Sequence, residues 1–429
     1  MSNRRGWIAL FLFCLSMINY MDRIALSIAA KPIAAQFKLS TVGMGYLFSS
    51  FIWSYALFLL PLGFLIDRFG TKKMAAIGIF VWSAATALTG ATSNFVSLLC
   101  ARLAMGAGES SSNPVSAKVI RQWIPASERG MVSAIVNSGS YAGPAICSVL
   151  LGSLIELFGW RVSFVIAGSV GFVWLAAWLI FFNTPENTSW LKAEEREKIL
   201  RERESKSAEG PRTEHVTGFL SLLRTPTLWA LAITQGCNVY SQYLFLTWLP
   251  SYLQTSRHLS IASTGLFSAV PYASSVILCI LAGRLSDRYL KKSGVGTGRR
   301  RNAVAIALLT ASMILAVPFT SNLAVLLVIF SITLTGIAST TSLNQALLND
   351  LLPNSRDVAK AMAFLVLGGQ VFGIAAPIAT GYIVAATGNF DWAFGVAGLL
   401  LLFGVLVVTT MTRSPMIRVK STSSIAHIA

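Results

Sequence analysis

The chain has 429 residues, 54% of them hydrophobic and 12% charged, with a formal net charge of +17 and a mean hydropathy of +0.65. Soluble domains carry about 25% charged residues, so this composition excludes a soluble enzyme or a soluble nucleic-acid-binding protein and indicates a polytopic membrane protein. The basic excess then has a membrane explanation, because Lys and Arg accumulate in loops that stay cytoplasmic.

A bilayer crossing needs about 20 largely apolar residues. Twelve such runs occur, at 7–27, 43–66, 75–92, 95–118, 131–156, 162–183, 226–250, 262–286, 303–319, 322–348, 358–386 and 391–411. The first follows Arg4-Arg5 as a secretory leader would, but no small-residue cleavage site follows and Asp22-Arg23 interrupts its end. It therefore reads as a retained helix. Thr92-Ser93-Asn94 and Phe158-Gly159-Trp160-Arg161 leave room only for tight turns between adjacent crossings. With the N-terminus inside, all but six of the 34 Lys and Arg lie in cytoplasmic segments. Lys31, Lys38, Arg161 and Arg257 fall outside, and Arg23 and Arg102 fall within spans. That asymmetry puts both termini in the cytoplasm. Trp7, Trp160, Trp248 and Trp392 fall near span ends, where interfacial anchors are expected.

Residues 184–224 break the pattern. Opposite charges three and four apart predict a charge-laced helix over 191–204, followed by a linker with Gly210-Pro211. The expected organisation is a six-helix bundle over 1–183, a cytoplasmic linker over 184–224, and a second six-helix bundle with a short tail over 225–429. The halves repeat each other. Gly63-Phe-Leu-Ile-Asp67-Arg68-Phe69 follows the second run, and Gly283-Arg-Leu-Ser-Asp287-Arg288-Tyr289 follows the eighth, each backed by a Lys pair. Such repeats point to a two-fold transporter architecture with its site between the halves at mid-membrane. The two Asp-Arg turns would lie at the cytoplasmic surface and clamp neighbouring helix ends in one conformational state.

Only Asp22, Arg23, Arg102 and Glu109 are ionisable and well inside spans. Such residues are costly and mark substrate paths or proton relays. At about 1.5 Å per residue, Asp22 lies roughly 22 Å above the inner start of its span and Arg102 roughly 10 Å below the outer start of the fourth. In a core about 30 Å thick these depths match, which predicts an Asp22–Arg102 pair, static or functional. Arg23 is then left over, either as a two-pronged grip for a carboxylate or as a side chain reaching to the outer interface. Glu109, two turns from Arg102, is either a carboxyl that gains and loses the coupling proton or a protonated packing residue.

Tyr20, Ser140, Asn238, Tyr240, Gln242, Tyr243, Tyr272, Asn344 and Gln370 are uncharged polar residues that suit a polyol acid. Each could equally serve a helix–helix hydrogen bond. Gly63, Gly143-Pro144, Gly373 and Pro377 read as packing and bending devices. Cys14, Cys100, Cys147, Cys237 and Cys279 all fall in apolar runs without CxxC spacing, and all three histidines lie outside the spans. No metal-ligand cluster, nucleotide loop or nucleophile–base arrangement is visible, so neither an enzyme, a cofactor nor a metal is expected.

Gly63…Asp67-Arg68…Gly70…Lys73 resembles the loop 2–3 motif of the major facilitator superfamily. Arg102-Leu-Ala-Met-Gly-Ala-Gly-Glu109 resembles its fourth-span motif and Gly139-Ser-Tyr-Ala-Gly143-Pro144 its fifth-span one. Asn19-Tyr-Met-Asp-Arg23, Gly108-Glu109…Pro114 and Phe245-Leu-Thr-Trp-Leu-Pro250-Ser-Tyr252-Leu are similar to stretches of its anion:cation symporter family. That family includes bacterial importers of galactonate, glucarate and hexuronates. The resemblance covers essentially the whole chain. It implies an all-α membrane protein, twelve helices in two pseudo-symmetric bundles, and alternating access. It also implies proton-driven import of a small organic anion, a sugar acid, by a monomer in a bacterial inner membrane. Arg23 would meet the carboxylate, Tyr20 would bind substrate, and Glu109 would carry the proton, with Asp22 and Arg102 sharing the coupling. Ser140 stands where sugar-acid members often have glutamine, and Gln370 where they often have asparagine. The rival reading is proton-antiport efflux of lipophilic or aromatic-acid compounds, which calls for an apolar pocket without an anion grip.

Overall fold

The computed structural model of the chain describes residues 3–125, 128–188, 196–197, 223–291, 298–352 and 358–413, without the side chains of 3–5, 187, 280, 282–291 and 359. The charged helix expected over 191–204 and most of the linker expected over 184–224 lie outside the described residues. The regular elements described are all helical. In the first half they are α1 (Asn3–Ile28), α2 (Ala30–Phe37), α3 (Thr41–Phe69), α4 (Thr71–Thr89), α5 (Phe95–Glu109), α6 (Ser112–Trp123) and α7 (Arg129–Phe181). The second half contains α8 (Pro226–Ser256), α9 (Ile261–Lys291), α10 (Arg299–Ala311), α11 (Leu323–Leu351), α12 (Val358–Thr387) and α13 (Asp391–Met411). A 3-10 stretch, Ser312–Phe319, extends α10.

These helices supply the twelve expected crossings. α2 prolongs α1 beyond a break at Ala29, α5 and α6 form one crossing broken at Ser110-Ser111, and α7 supplies two, reversing at Gly159. Gly159 has φ +76°, a conformation that a side chain would strain, so the residue type makes the tight turn possible. By length and hydropathy alone, eight stretches among the described residues qualify as spans. α7 counts once among them; α4 opens on Lys72-Lys73, α5–α6 holds Arg102 and Glu109, and α8 carries Gln235, Asn238 and Gln242. The turns are set locally. Asn94 and Ser97 cap α5 reciprocally, and the Ser40 and Asn322 side chains cap α3 and α11.

The halves meet mainly along α3 against α12 and α7 against α9, with α1 also touching α8. These contacts gather at one end of the molecule. There Ser49 Oγ donates to Ile374 O at 2.8 Å, Ser27 Oγ to Thr247 O at 2.6 Å, and Gln254 Nε2 to Ile28 O at 3.2 Å. The Ala262 N–H at the start of α9 donates to Glu156 Oε2 of α7 at 3.1 Å. A Cβ on Gly45 would lie 2.7 Å from Pro377 O, and Gly381 packs as closely on Thr41. Toward the other end of α3 none of these bonds between the halves recurs among the described residues, and Leu57, Phe64 and Leu65 are exposed. A Cβ on Gly63 would meet nothing within 4 Å, so in this state Gly63 is no close-packing device. By contrast Gly139 and Gly143 lie against the Phe13 and Met17 carbonyls of α1, as close helix approach requires.

Two tryptophans expected at the membrane interface are buried instead. Trp248 donates to Pro377 O at 3.1 Å and Trp160 to Gln36 Oε1 at 2.9 Å, so each is held by a neighbouring helix. The close approach at Gly45 yields a prediction. Gly45→Leu should hold the closed end apart, because the facing atom is backbone that cannot swing aside. With the native cysteines removed, a cysteine replacing the fully buried Ile28 should react with a maleimide in purified Gly45→Leu protein several-fold faster than with Gly45 intact. Equal labelling rates would show that α3 and α12 tolerate a side chain between them.

Candidate functional site

Four buried charges meet where α1 and α5 approach the second half. Asp22, Arg23, Arg102 and Glu109 are each no more than 5% exposed. Arg23 Nε donates to Glu109 Oε2 at 2.8 Å, and its Nη1 reaches the Tyr243 hydroxyl of α8 at 3.4 Å. The guanidinium also lies 4.5 Å from the ring centre of Tyr20, 5.0 Å from Tyr55 and 5.3 Å from Phe51. Cation–π attraction and one charge-assisted bond thus fix Arg23 between the halves. Arg102 lies 4.8 Å from the Phe51 ring centre and donates to Met105 Sδ at 3.1 Å, while its Nε has no protein partner.

This arrangement corrects the expected pairing. Asp22 and Arg102 are close enough for their charges to act on each other, yet they form no ion pair, and Asp22 Oδ2 has no hydrogen-bond partner. Nor is Arg23 left over, since it holds Glu109. The chain stays helical to Phe37 apart from the break at Ala29, with Ile33 fully buried, so Arg23 is not at the end of its crossing. The pairing is then set by angle rather than by depth, with Arg23 and Glu109 in direct contact. Arg23, about 100° further round the helix than Asp22, is the one that faces it.

The other expected residues divide. Tyr20 and Tyr243 surround Arg23. Gln242 is half-buried and makes no hydrogen bond among the described residues; Gln370 is half-buried with Oε1 unpartnered. Ser140 Oγ donates to Asn137 O within its own helix. Asn238 belongs elsewhere: it is fully buried and donates to Ile337 O and Thr341 Oγ1 of α11. Asn344 likewise donates to Leu231 O and Gln235 Oε1 of α8. Away from the centre, Asp67 accepts from Lys118 Nζ at 2.8 Å, and Arg68 lies over the Phe69 ring. Gly283, Asp287 and Arg288 lie on α9, but their side chains are outside the described residues.

Phe51, Tyr55, Asn19 and Asn113 were missed in the sequence. Asn113 Nδ2 donates to the Tyr55 hydroxyl at 2.8 Å, and Asn19 sits beside Glu109 without completing a hydrogen bond. Asn19 was findable, since it lies four residues before Arg23 on the same helix face. Phe51 and Tyr55 were not, because aromatic residues in an apolar run look like any packing residue.

Such a pair stabilises the protein only while both members are present, because removing one leaves a buried charge uncompensated. Arg23→Met or Glu109→Leu alone should each cost about 3–5 kcal/mol, and the double variant should recover most of that loss. Thermal unfolding of the four proteins in detergent measures the coupling. Additive losses would show that the two side chains do not act as a pair.

A family model, the Major Facilitator Superfamily, matches residues 12–297 and 297–426. A probable galactarate/D-glucarate transporter of Bacillus subtilis (strain 168) is 33% identical over 417 residues, covering 94% of this chain and 90% of that one. A probable galactarate/D-glucarate transporter of Escherichia coli (strain K12) is 30% identical over 418 residues, covering 94% and 93%. The hexuronate transporter of Bacillus subtilis (strain 168) is 32% identical over 414 residues, covering 95% and 94%. Among solved structures, a bacterial homologue of the human lysosomal transporter Spinster superposes with a TM-score of 0.75 at 18% identity, over 96% of this chain and 98% of that one. A D-xylose–proton symporter does so with a TM-score of 0.68 at 15% identity, over 95% and 98%. With both halves matched and the same fold in solved transporters, the chain belongs to the Major Facilitator Superfamily and is a multi-pass membrane transporter, not an enzyme.

Proposed function

We propose that this protein imports an organic carboxylate together with protons by alternating access, its substrate a sugar acid such as glucarate, galactonate or a hexuronate. The observation that carries this reading is the Arg23–Glu109 ion pair, held against Tyr243 of the other half. A substrate carboxylate and Glu109 compete for one guanidinium. When Glu109 takes a proton it no longer holds Arg23 as an anion, and Arg23 can turn two parallel N–H groups to the substrate. Proton and anion then enter together, which is symport. When the proton leaves, Glu109 recaptures Arg23 and the substrate loses its grip. Asp22, next to Arg102 but unpaired, is the second acid of the relay.

Sidedness follows from the basic residues. With both termini in the cytoplasm, the open end faces inward, and the closed end faces outward. The Asp67–Lys118 contact lies near that open end and holds α3 to α6 within the first half. A monomer in a bacterial inner membrane completes the reading, and the relatives' named substrates make sugar acids the first to try.

The test uses proteoliposomes and a panel of D-glucarate, galactarate, galactonate and hexuronates. Wild type should accumulate at least one of them only when the outside is more acidic. Glu109→Gln should retain counterflow exchange but lose uphill accumulation. Arg23→Lys should weaken binding by roughly 30-fold or more, because losing a buried, hydrogen-bonded charge partner costs about 2–5 kcal/mol. Methyl esters should compete poorly. Normal pH-driven uptake by Glu109→Gln, or equal binding of acid and ester, would sink the proposal.

A further inference from the structure

The facing surfaces of α8 and α11 are polar but face neither lipid nor the Arg23 site. Thr234, Asn238, Thr340 and Asn344 are all wholly buried there. Both asparagines spend their NH2 groups across the interface, at Ile337 O and Thr341 Oγ1 for Asn238, and at Leu231 O and Gln235 Oε1 for Asn344. Each is left with a carbonyl oxygen that has no protein partner, and Thr234 Oγ1 and Thr340 Oγ1 have none either. The four residues lie along one stretch of the seam. Thr234 precedes Asn238 by one turn, Thr340 precedes Asn344 by one turn, and the antiparallel cross-bonds put the two pairs at the same level.

Buried polar atoms are nearly always hydrogen-bonded, and four orphans along one seam call for partners other than protein groups. Two of the four are amide carbonyls, which only accept, so the partner must donate. Its charge is limited by what surrounds it. No carboxylate lies among the four, and a cation there would be a buried charge without compensation. A neutral molecule that donates twice and accepts twice meets every requirement. We propose that the α8–α11 seam is a built site for internal water, bound by Asn238 Oδ1, Asn344 Oδ1, Thr234 Oγ1 and Thr340 Oγ1. Buried waters of this kind make about three hydrogen bonds each. The site has a mechanical consequence, because α8 is the helix that reaches across to α1 through Tyr243 and Thr247. Water can exchange partners while α8 tilts against α11, where fixed side-chain pairs would have to break.

The test is the near-isosteric double substitution Thr234→Val with Thr340→Val, in the full-length purified protein. If water binds there, the variant loses hydrogen bonds, and its Tm should fall by about 2–4 °C. A rise or no change in Tm would show dry hydroxyls and overturn the proposal, since removing an unsatisfied buried group stabilises or is neutral. Replacing sodium by choline should leave the wild-type Tm unchanged. Sodium-specific stabilisation that disappears in the double variant would overturn water in favour of a cation. A high-resolution map should show solvent density within hydrogen-bond distance of Asn238 Oδ1 and Asn344 Oδ1, and an empty, well-resolved seam would equally refute the assignment.

Discussion

One guanidinium organises the centre of this protein. Arg23 is buried, and a lone buried cation would be prohibitively costly, so its environment must supply compensation. It does so from three directions: the Glu109 carboxylate, the faces of Tyr20, Tyr55 and Phe51, and the hydroxyl of Tyr243 from the opposite half. α1, α3, α5 and α8 are therefore tied to one side chain. Any event that changes the charge on Glu109 is felt by all four helices, and so by the contact between the halves. In the proposed cycle coupling needs no long path, because the acid, Glu109, is in direct contact with the arginine proposed to hold the anion.

The arrangement also explains why four ionisable groups yield a single ion pair. Arg102 makes its close contacts with the Phe51 ring and the Met105 sulfur, and Asp22 keeps one oxygen unpartnered. Two acids and two bases in one buried region balance in sum without being matched one to one. Such a cluster holds unmatched partners within reach, which suits the exchange of partners proposed above.

Much of this could be read in advance, for identifiable reasons. Twelve crossings follow from runs of apolar residues, and the duplication follows from two Gly-x-x-x-Asp-Arg segments. The four intramembrane charges stand out because no other acidic or basic residue lies well inside a span. Their pairing did not follow, because depth along a helix is only half of the geometry. The angle between Asp22 and Arg23 around the helix decided which of them met Glu109 of α5. The polar residues of α8 posed a different difficulty. Asn238 and Tyr243 are five residues apart and equally polar, yet one is committed to α11 and the other faces Arg23. Sequence spacing alone does not say which neighbour each face meets. Phe51 and Tyr55 gave no signal at all, since their role depends on a cation from another helix.

The closed end has a character of its own. Its contacts are made largely through backbone atoms: the carbonyls of Ile374, Thr247 and Ile28, the amide of Ala262, and glycines pressed against main chain at Gly45 and Gly381. A seal of this type asks of most facing positions that they be small rather than chemically particular. With cargo held at Arg23 as proposed, the side chains around it can diversify without redesigning the barrier at the closed end. Selectivity and gating become separately evolvable, and one scaffold can serve many anions.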